Sequence, residues 1–327
     1  MSSSTDSDGP LVSVVMITRD GEATIEAAIQ SVVTQQDCRL ELLVIDDHST
    51  DRTVKIVSDL AERHPEIRLL ACDGSGIVDA RNTALNAARG RYLAVLDCDD
   101  LAVPGRFAKQ ATRMDAEERL VLLGSQAIEF GDDQTDRVLL TIGSTDEEVT
   151  RALSTTPPFA HSSVMARASA MRSVGGYRKL LQHAEDFDLY LRLSEVGTVG
   201  AIFEPLVRYR VHGGQMSVQK RATQLVCGAA ALESASCRRD GQEDPVAKNT
   251  RPALLAARLL KRLANNKEAA DTETLKLIGR TARGLHASGA LTKDAARDIR
   301  RVATKALFGR NSGRAARLWL RSFRPQP

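Results

Sequence analysis

Three carboxylates fall within four residues at Asp97-Cys98-Asp99-Asp100, where the apolar run Tyr92-Leu93-Ala94-Val95-Leu96 ends. Neighbouring negative charges repel one another and resist burial, so such a cluster needs either a positive partner or open water. A hard divalent cation meets the first need, because Mg²⁺ and Mn²⁺ take oxygen ligands, commonly one or two carboxylates with the phosphates of a substrate. A solvated acidic turn after a strand meets the second. Further polar groups stand at comparable places: Thr18-Arg19-Asp20-Gly21-Glu22 after one apolar run, Asp46-Asp47-His48 after another, Glu185-Asp186 before a third, and His212 at the end of Tyr209-Arg210-Val211-His212.

The elements that position these groups follow from periodicity. Leu11 to Ile17 is a β-branched run of strand length, and Ile25, Ala28, Ile29 and Val32 then recur at helical spacing. The unit repeats with a strand from Leu40 to Ile45 and a helix marked by Val54, Val57, Leu60 and Ala61, then with a strand from Ile67 to Ala71 and a helix from Asp79 to Ala88. A fourth strand, Tyr92 to Leu96, precedes a helix begun near Pro104 with Phe107, Ala111 and Met114 on one side. Successive β-α units imply a parallel, helix-covered sheet, in which ligands bind beyond the carboxyl ends of the strands. The loops after strands one, two and four are expected to meet in one crevice.

Beyond this the pattern changes. Leu120 to Phe130 and Val138 to Ile142 flank a polar turn and predict a hairpin-like pair. Thr145-Asp146-Glu147-Glu148 predicts a capped helix that ends before Pro157-Pro158. His161 and its neighbours lead into a helix expected to reach Val174, stopped by Gly175-Gly176. Ala184 to Leu193 predicts a helix with an acidic first turn, and Val199 to Phe203 and Leu206 to Val211 predict two closing strands.

Two generic motifs are weak. Gly74-Ser75-Gly76-Ile77-Val78-Asp79 begins like a dinucleotide-binding loop, but Asp79 stands at the third glycine position and would repel a pyrophosphate. The acidic cluster is similar to the nucleophile loop of aspartate-based phosphatases, which normally lies on the first strand and has Thr or Val where Leu101 stands.

The joint pattern is more specific. Val14-Val15-Met16-Ile17-Thr18-Arg19-Asp20, Val44-Ile45-Asp46-Asp47-His48-Ser49-Thr50-Asp51, Ala80-Arg81-Asn82-Thr83-Ala84-Leu85, Leu96-Asp97-Cys98-Asp99-Asp100 and Glu185-Asp186-Phe187-Asp188-Leu189 together resemble the family 2 glycosyltransferases of GT-A fold, from about Leu11 to about Ser217. The resemblance implies an α/β architecture, a mixed and largely parallel sheet flanked by helices, here with a C-terminal α-helical extension. It implies a nucleotide-diphosphate sugar donor, a glycan or glycolipid acceptor, Mn²⁺ or Mg²⁺, and inversion at the anomeric carbon. By the same resemblance Thr18, Arg19, Glu22 and Asp47 serve the base and ribose, Arg81 the nucleotide, Asp97 the ribose or metal, and Asp99 the metal. Asp186, with Glu185 beside it, stands as general base, and His212 as a third metal ligand, a phosphate contact or a hydrogen-bonded strand-end histidine. His48 replaces the glycine most members carry. The Glu185-Asp186 pair also suits a helix cap. A non-catalytic nucleotide-sugar-binding or scaffold protein of the same fold is the competing class, and the intact acidic cluster and Glu185-Asp186 argue against it.

Charge divides the chain. From Asp244 onward there are 19 Lys and Arg against six Asp and Glu, whereas the whole chain has 45 against 42. The expected organisation is therefore a polar tail over 1–9, a catalytic domain over 10–217 and a basic, Ala- and Arg-rich helical extension over 218–327. In its last segment Ala316, Trp319, Leu320 and Phe323 share one helical side while Arg314, Arg317, Arg321 and Arg324 share another. That suits a helix lying on an anionic membrane surface, or one docked on the catalytic domain or a partner subunit; Leu318 falls on the arginine side. Lys and Arg with few aromatics give only unspecific attraction to nucleic acid. No apolar run approaches the roughly 18 residues of a spanning helix and the N-terminus is polar and acidic, so the expected location is cytoplasmic, with peripheral contact at the inner face of the plasma membrane. Five scattered cysteines argue against both a disulfide framework and a zinc site.

Overall fold

A computed structural model of the chain describes residues 12–35, 37–131, 134–213 and 220–265, together with 281, 284, 285 and 287. Two compact units emerge, one drawn from Met1–Lys179 with Leu189–Gly213 and the other from Leu180–Asp188 with Gly214–Pro327.

In the first unit the expected β-α succession forms. β1 (Val12–Thr18), β2 (Leu40–Asp46), β3 (Ile67–Ala71) and β4 (Tyr92–Val95) alternate with α1 (Ile25–Val33), α2 (Thr53–Ala61) and α3 (Ile77–Ala87), and α4 (Arg106–Ala116) follows the short strand β5 (Leu101–Ala102). β3, β2, β1 and β4 lie side by side in parallel. Buried on both faces, they read as continuous apolar runs rather than alternating ones. Their core is made of residues such as Val12, Val14, Met16, Leu42, Val44, Tyr92 and Ala94, closed by Ile25, Ile29, Val57, Phe107 and Met114 from the helices.

The sheet continues with antiparallel members. β8 (Met165–Arg167) pairs antiparallel with both β4 and β6 (Leu120–Gly131), and β9 (Thr198–Arg210) runs parallel to β6 and antiparallel to β5. β7 (Gln134–Leu139) makes the expected hairpin with β6. Among the described residues the order is β3-β2-β1-β4-β8-β6-β9-β5, with β7 on β6. This is the mixed, largely parallel, helix-flanked sheet that the sequence implies.

Several local expectations are corrected. The stretch from His161 to Val174 is a 3-10 turn at His161–Ser163, then strand β8, and only then the helix α6 (Ala168–Ser173), because β4 has an open edge that this apolar segment completes. The two closing strands are one, β9: Pro205 lacks an N–H and the register slips there, but β6 runs alongside throughout and carries the strand across. Val54 is 40% exposed, and Thr53 is buried in its place with Val57 and Leu60. The second hairpin strand lies earlier than expected, and Val138, Leu140 and Ile142 are exposed. Thr145 caps α5 (Asp146–Ala152), accepting from the Glu148 N–H at 3.3 Å.

α7 (Glu185–Leu193) is one continuous helix whose first four residues group with the second unit and whose remainder groups with the first. The second unit also contains α8 (Arg221–Arg239) and α9 (Pro252–Asn265), which pack on each other. The turn between them is tied by Asp244, which accepts from Ser234 Oγ at 2.6 Å, from Arg238 at 2.8 Å and from the Val246 N–H at 2.9 Å. The basic segment over 314–324 lies outside the described residues.

Candidate active site

The loops that follow β1 and β2 are stitched together residue by residue. Asp20, in a left-handed conformation at φ 52°, accepts from the Thr50 N–H at 2.7 Å, and its own N–H donates to Ser49 Oγ at 2.9 Å. The Gly21 N–H donates to Thr53 Oγ1 at 2.8 Å, which is what turns Thr53 inward. Glu22 accepts from the Arg52 N–H at 3.0 Å and from Arg52 Nε at 3.1 Å, so this carboxylate braces the start of α2.

Asp47 is the junction. Its N–H donates to the Thr18 carbonyl at 2.9 Å, and its buried carboxylate accepts from the Gly76 N–H at 3.0 and 3.1 Å, joining the first three loops. Exposed Arg19 reaches it at 3.9 Å, and His48 Nδ1 lies 3.3 Å away. His48 takes the positive φ, 62°, that a glycine would supply, so the turn is kept without one.

The acidic loop joins this group through Cys98. A Cβ on Gly21 would lie 3.5 Å from Cys98 Sγ, an ordinary contact, but 2.6 Å from Thr18 Oγ1, so the glycine keeps the first loop folded against its own Thr18 while it lies next to the fourth. Burial, with the charge of Asp99 next, pushes the Cys98 thiol up to about 12, which leaves it a neutral packing group. The turn itself is held from two sides. Ser162 Oγ accepts from the Asp97 N–H at 3.1 Å, while the Arg210 N–H donates to Asp100 Oδ1 at 2.7 Å and Arg210 Nε to the Asp99 carbonyl at 3.2 Å.

Within it the three carboxylates differ. Asp100 is buried, and burial, then Asp97 and Asp99, hold it well above the usual carboxylate range. Asp99 is raised by burial and by Asp97, and its Oδ2 lies 3.3 Å from Nε2 of exposed His212. Among the described residues no three His, Cys, Asp or Glu side chains converge as a complete metal cage. Asp99 and His212, with half-buried Asp97 beside them, nevertheless fit Mg²⁺ or Mn²⁺, which keep few protein ligands and fill their remaining positions with water and phosphate oxygens.

Arg81 is buried on α3 with its guanidinium 5.5 Å from the centre of the Tyr177 ring. Glu185 and Asp186 belong to the second unit. Glu185 is buried, and half-buried Asp186 accepts from the Phe187 N–H at 2.7 Å, as a carboxylate in the first turn of a helix does. The structure thus assembles Thr18, Arg19, Glu22, Asp47, Asp97, Asp99 and His212 across adjoining loops of the first unit. Arg106, Ser162, Tyr177 and Arg210 were not singled out in the sequence, and only Arg210, beside His212, carries a local signal.

A mixed sheet whose parallel strands end in cross-tied polar loops offers a ligand site at the carboxyl ends of those strands. Residues 13–175 match the model of glycosyl transferase family 2. EpsE of Bacillus subtilis (strain 168), an inferred glycosyltransferase, is 32% identical over 235 residues, covering 71% of this chain and 83% of that protein. The chain belongs to glycosyl transferase family 2 and is a glycosyltransferase. The hyaluronan synthase of Pasteurella multocida is 26% identical over 215 residues, 66% of this chain, and the chain spans only 22% of that protein's length. Among solved structures, S. aureus TarS in complex with UDP-GlcNAc superposes with a TM-score of 0.61 at 17% identity, covering 90% of this chain and 91% of that one. The mannosyltransferase PcManGT of Pyrobaculum calidifontis, in complex with GDP-Man and Mn²⁺, gives 0.53 at 20% identity, covering 96% and 84%. At these identities the two structures show the fold.

Proposed function

We propose that the chain is a metal-dependent, inverting glycosyltransferase that moves a sugar from a nucleotide-diphosphate donor to an acceptor hydroxyl during assembly of a cell-surface glycan or glycolipid. The observation that carries this reading is the acidic turn, where burial and mutual repulsion raise Asp99 and Asp100 beside the loops that tie Thr18 to Asp47. A cluster so placed gains stability from a cation. The donor complexes of two proteins of this fold, one with UDP-GlcNAc and one with GDP-Man and Mn²⁺, support the donor class and the metal.

Asp99, Asp97 and His212 would hold the metal, which when bound supplies Lewis-acid stabilisation of the leaving diphosphate. Thr18, Arg19, Glu22 and Asp47 bind base and ribose, and Arg81 the nucleotide. Asp186 accepts the proton of the acceptor hydroxyl, a contribution of roughly 10² to 10⁴ in rate, with Glu185 beside it. One displacement from the face opposite the leaving group inverts the configuration without a covalent sugar-enzyme intermediate. The catalytic domain extends over 10–217, and the basic extension over 218–327 brings it to the inner face of the plasma membrane.

The test is release of nucleoside diphosphate from UDP-, GDP- and dTDP-sugars with Mn²⁺, with Mg²⁺ and with chelator. Metal-dependent release from one donor, abolished in Asp99→Ala and lost with donor binding retained in Asp186→Asn, is the expected result. Binding without turnover in the wild type would instead make the chain a nucleotide-sugar-binding scaffold.

A further inference from the structure

His161 opens the 3-10 turn His161–Ser163, and its two ring nitrogens face two buried tyrosines. Nδ1 lies 2.6 Å from the Tyr190 hydroxyl and Nε2 3.3 Å from the Tyr177 hydroxyl, and the imidazole meets the Tyr177 ring edge-on at 5.9 Å. A neutral imidazole has one donor and one acceptor nitrogen, so one tyrosine donates to it and the other accepts from it. Burial, with the positive charge of Arg81 next, holds His161 well below its ordinary range, in that neutral form.

Each tyrosine leads to a different candidate residue. Tyr177 is clamped by Asn82, whose Nδ2 donates to its carbonyl and whose Oδ1 accepts from its N–H, both at 2.9 Å. Arg81, the neighbour of Asn82 on α3, lies over the Tyr177 ring. Tyr190 stands on α7 four residues after Asp186 and so shares a side of that helix with it. The ring of Phe159 supports Tyr190 at 5.4 Å. Through the chain itself His161 is followed by Ser162, which holds the Asp97 N–H, and by Ser163, whose Oγ accepts from the Ser125 N–H at 3.2 Å. Packing alone would be served by an apolar side chain. Two hydroxyls placed at two ring nitrogens fix direction as well as volume.

We propose that His161 is a positioning residue of the transfer reaction: through Tyr177 it sets Arg81 against the donor, and through Tyr190 it sets the rotation of the helix that carries Asp186. The inference rests on the reading under Proposed function. It separates two roles within one side chain, so the two links are open to independent removal. His161→Gln places an amide near the position of Nε2 and keeps the Tyr177 link; His161→Asn places one near Nδ1 and keeps the Tyr190 link.

The experiment measures kcat and donor KM for hydrolysis of the active nucleotide sugar with Mn²⁺, on the full chain, together with the melting temperature of each variant. His161→Gln is expected to lower kcat about tenfold with KM within about twofold, and His161→Asn to raise KM about tenfold with kcat within about twofold, the factor one hydrogen bond of ordinary strength carries. Tyr190→Phe and Tyr177→Phe, which remove single hydroxyls, should reproduce the Gln and Asn behaviour respectively. If kcat and KM move together in all four variants, in step with the melting temperature, His161 is a structural residue only and the proposal is overturned. If the wild type releases nucleotide from no donor under any metal condition, the transferase reading itself fails and takes this inference with it.

Discussion

Arg106 has no exposed surface at all, and Asp100, which acts on it electrostatically, is 1% exposed beside two other carboxylates. Burial drives the Arg106 guanidinium down to about 9 while Asp100 acts the other way. Its Nη2 donates to the Val95 carbonyl at 2.8 Å and its Nε to Gln110 Oε1 at 3.1 Å, fastening the end of β4 to α4. Arg106→Met leaves the Val95 carbonyl and Gln110 Oε1 without this donor, so it should cost about 1–3 kcal/mol in urea unfolding without metal. Arg106→Lys, which keeps the charge but not the planar fork, should lose nearly as much; full rescue by lysine would show that charge and not these hydrogen bonds is the cause. Sequence could not single out Arg106, because an arginine after Pro104-Gly105 at a helix start reads as a surface residue and only the tertiary fold encloses it. His161 offers a second test at this scale. Its depressed value means that the unfolded chain binds a proton which the folded one refuses, so its contribution is full above about pH 6.5 and is lost as pH falls towards the folded value. The raised carboxylates of the acidic loop act in the opposite sense, so the comparison is made between variants. In His161→Gln the fall in unfolding free energy from about pH 7.5 to about pH 5.5 should be smaller than in wild type, and an unchanged slope would contradict the shift.

Elements decide how these residues are held, and they differ in how openly the sequence displays them. The four parallel strands were legible because each is a largely apolar run of strand length followed by helical spacing, and the loop residues of the candidate site lie where such strands end. β8 and the unbroken course of β9 were not, since the first is three residues long and the second contains Pro205. Both exist because a neighbouring strand edge needs pairing, a tertiary demand with no local mark. Gly175-Gly176 lies between these cases: its stop signal was plain, its function was not. Both glycines have positive φ, 82° and 65°, but a Cβ on Gly175 would meet nothing within 4 Å, whereas one on Gly176 would lie 2.6 Å from Asn82 Oδ1. Gly175→Ala should therefore cost about 1–2 kcal/mol of left-handed strain alone. Gly176→Ala carries the same strain and disturbs the Asn82 clamp on Tyr177, so it should cost more and also raise donor KM. Equal unfolding losses and an unmoved KM would show that the clamp does not reach the donor side.

Over the whole chain the strongest asymmetry is charge. The 19 Lys and Arg against six Asp and Glu from Asp244 onward give the C-terminal part a positive field, while the sequence before it is acidic on balance. Among the described residues no helix is long and apolar enough to cross a membrane. A surface attraction would need both charge and apolar contact, and at helical spacing the sequence would put Arg314, Arg317, Arg321 and Arg324 on one side and Trp319, Leu320 and Phe323 on another. Each arginine near an anionic surface is worth about 1 kcal/mol, an attraction that added salt screens. The full chain should therefore float with vesicles rich in anionic lipid at low salt, stay behind with neutral ones, and lose at least about tenfold in partition when the four arginines become glutamine. Trp319 is the chain's one tryptophan, so its emission reports on this segment directly. A blue shift that appears only with anionic vesicles places the segment on lipid; emission already blue-shifted in their absence, and unmoved by them, would mean that the same apolar side is covered by protein instead.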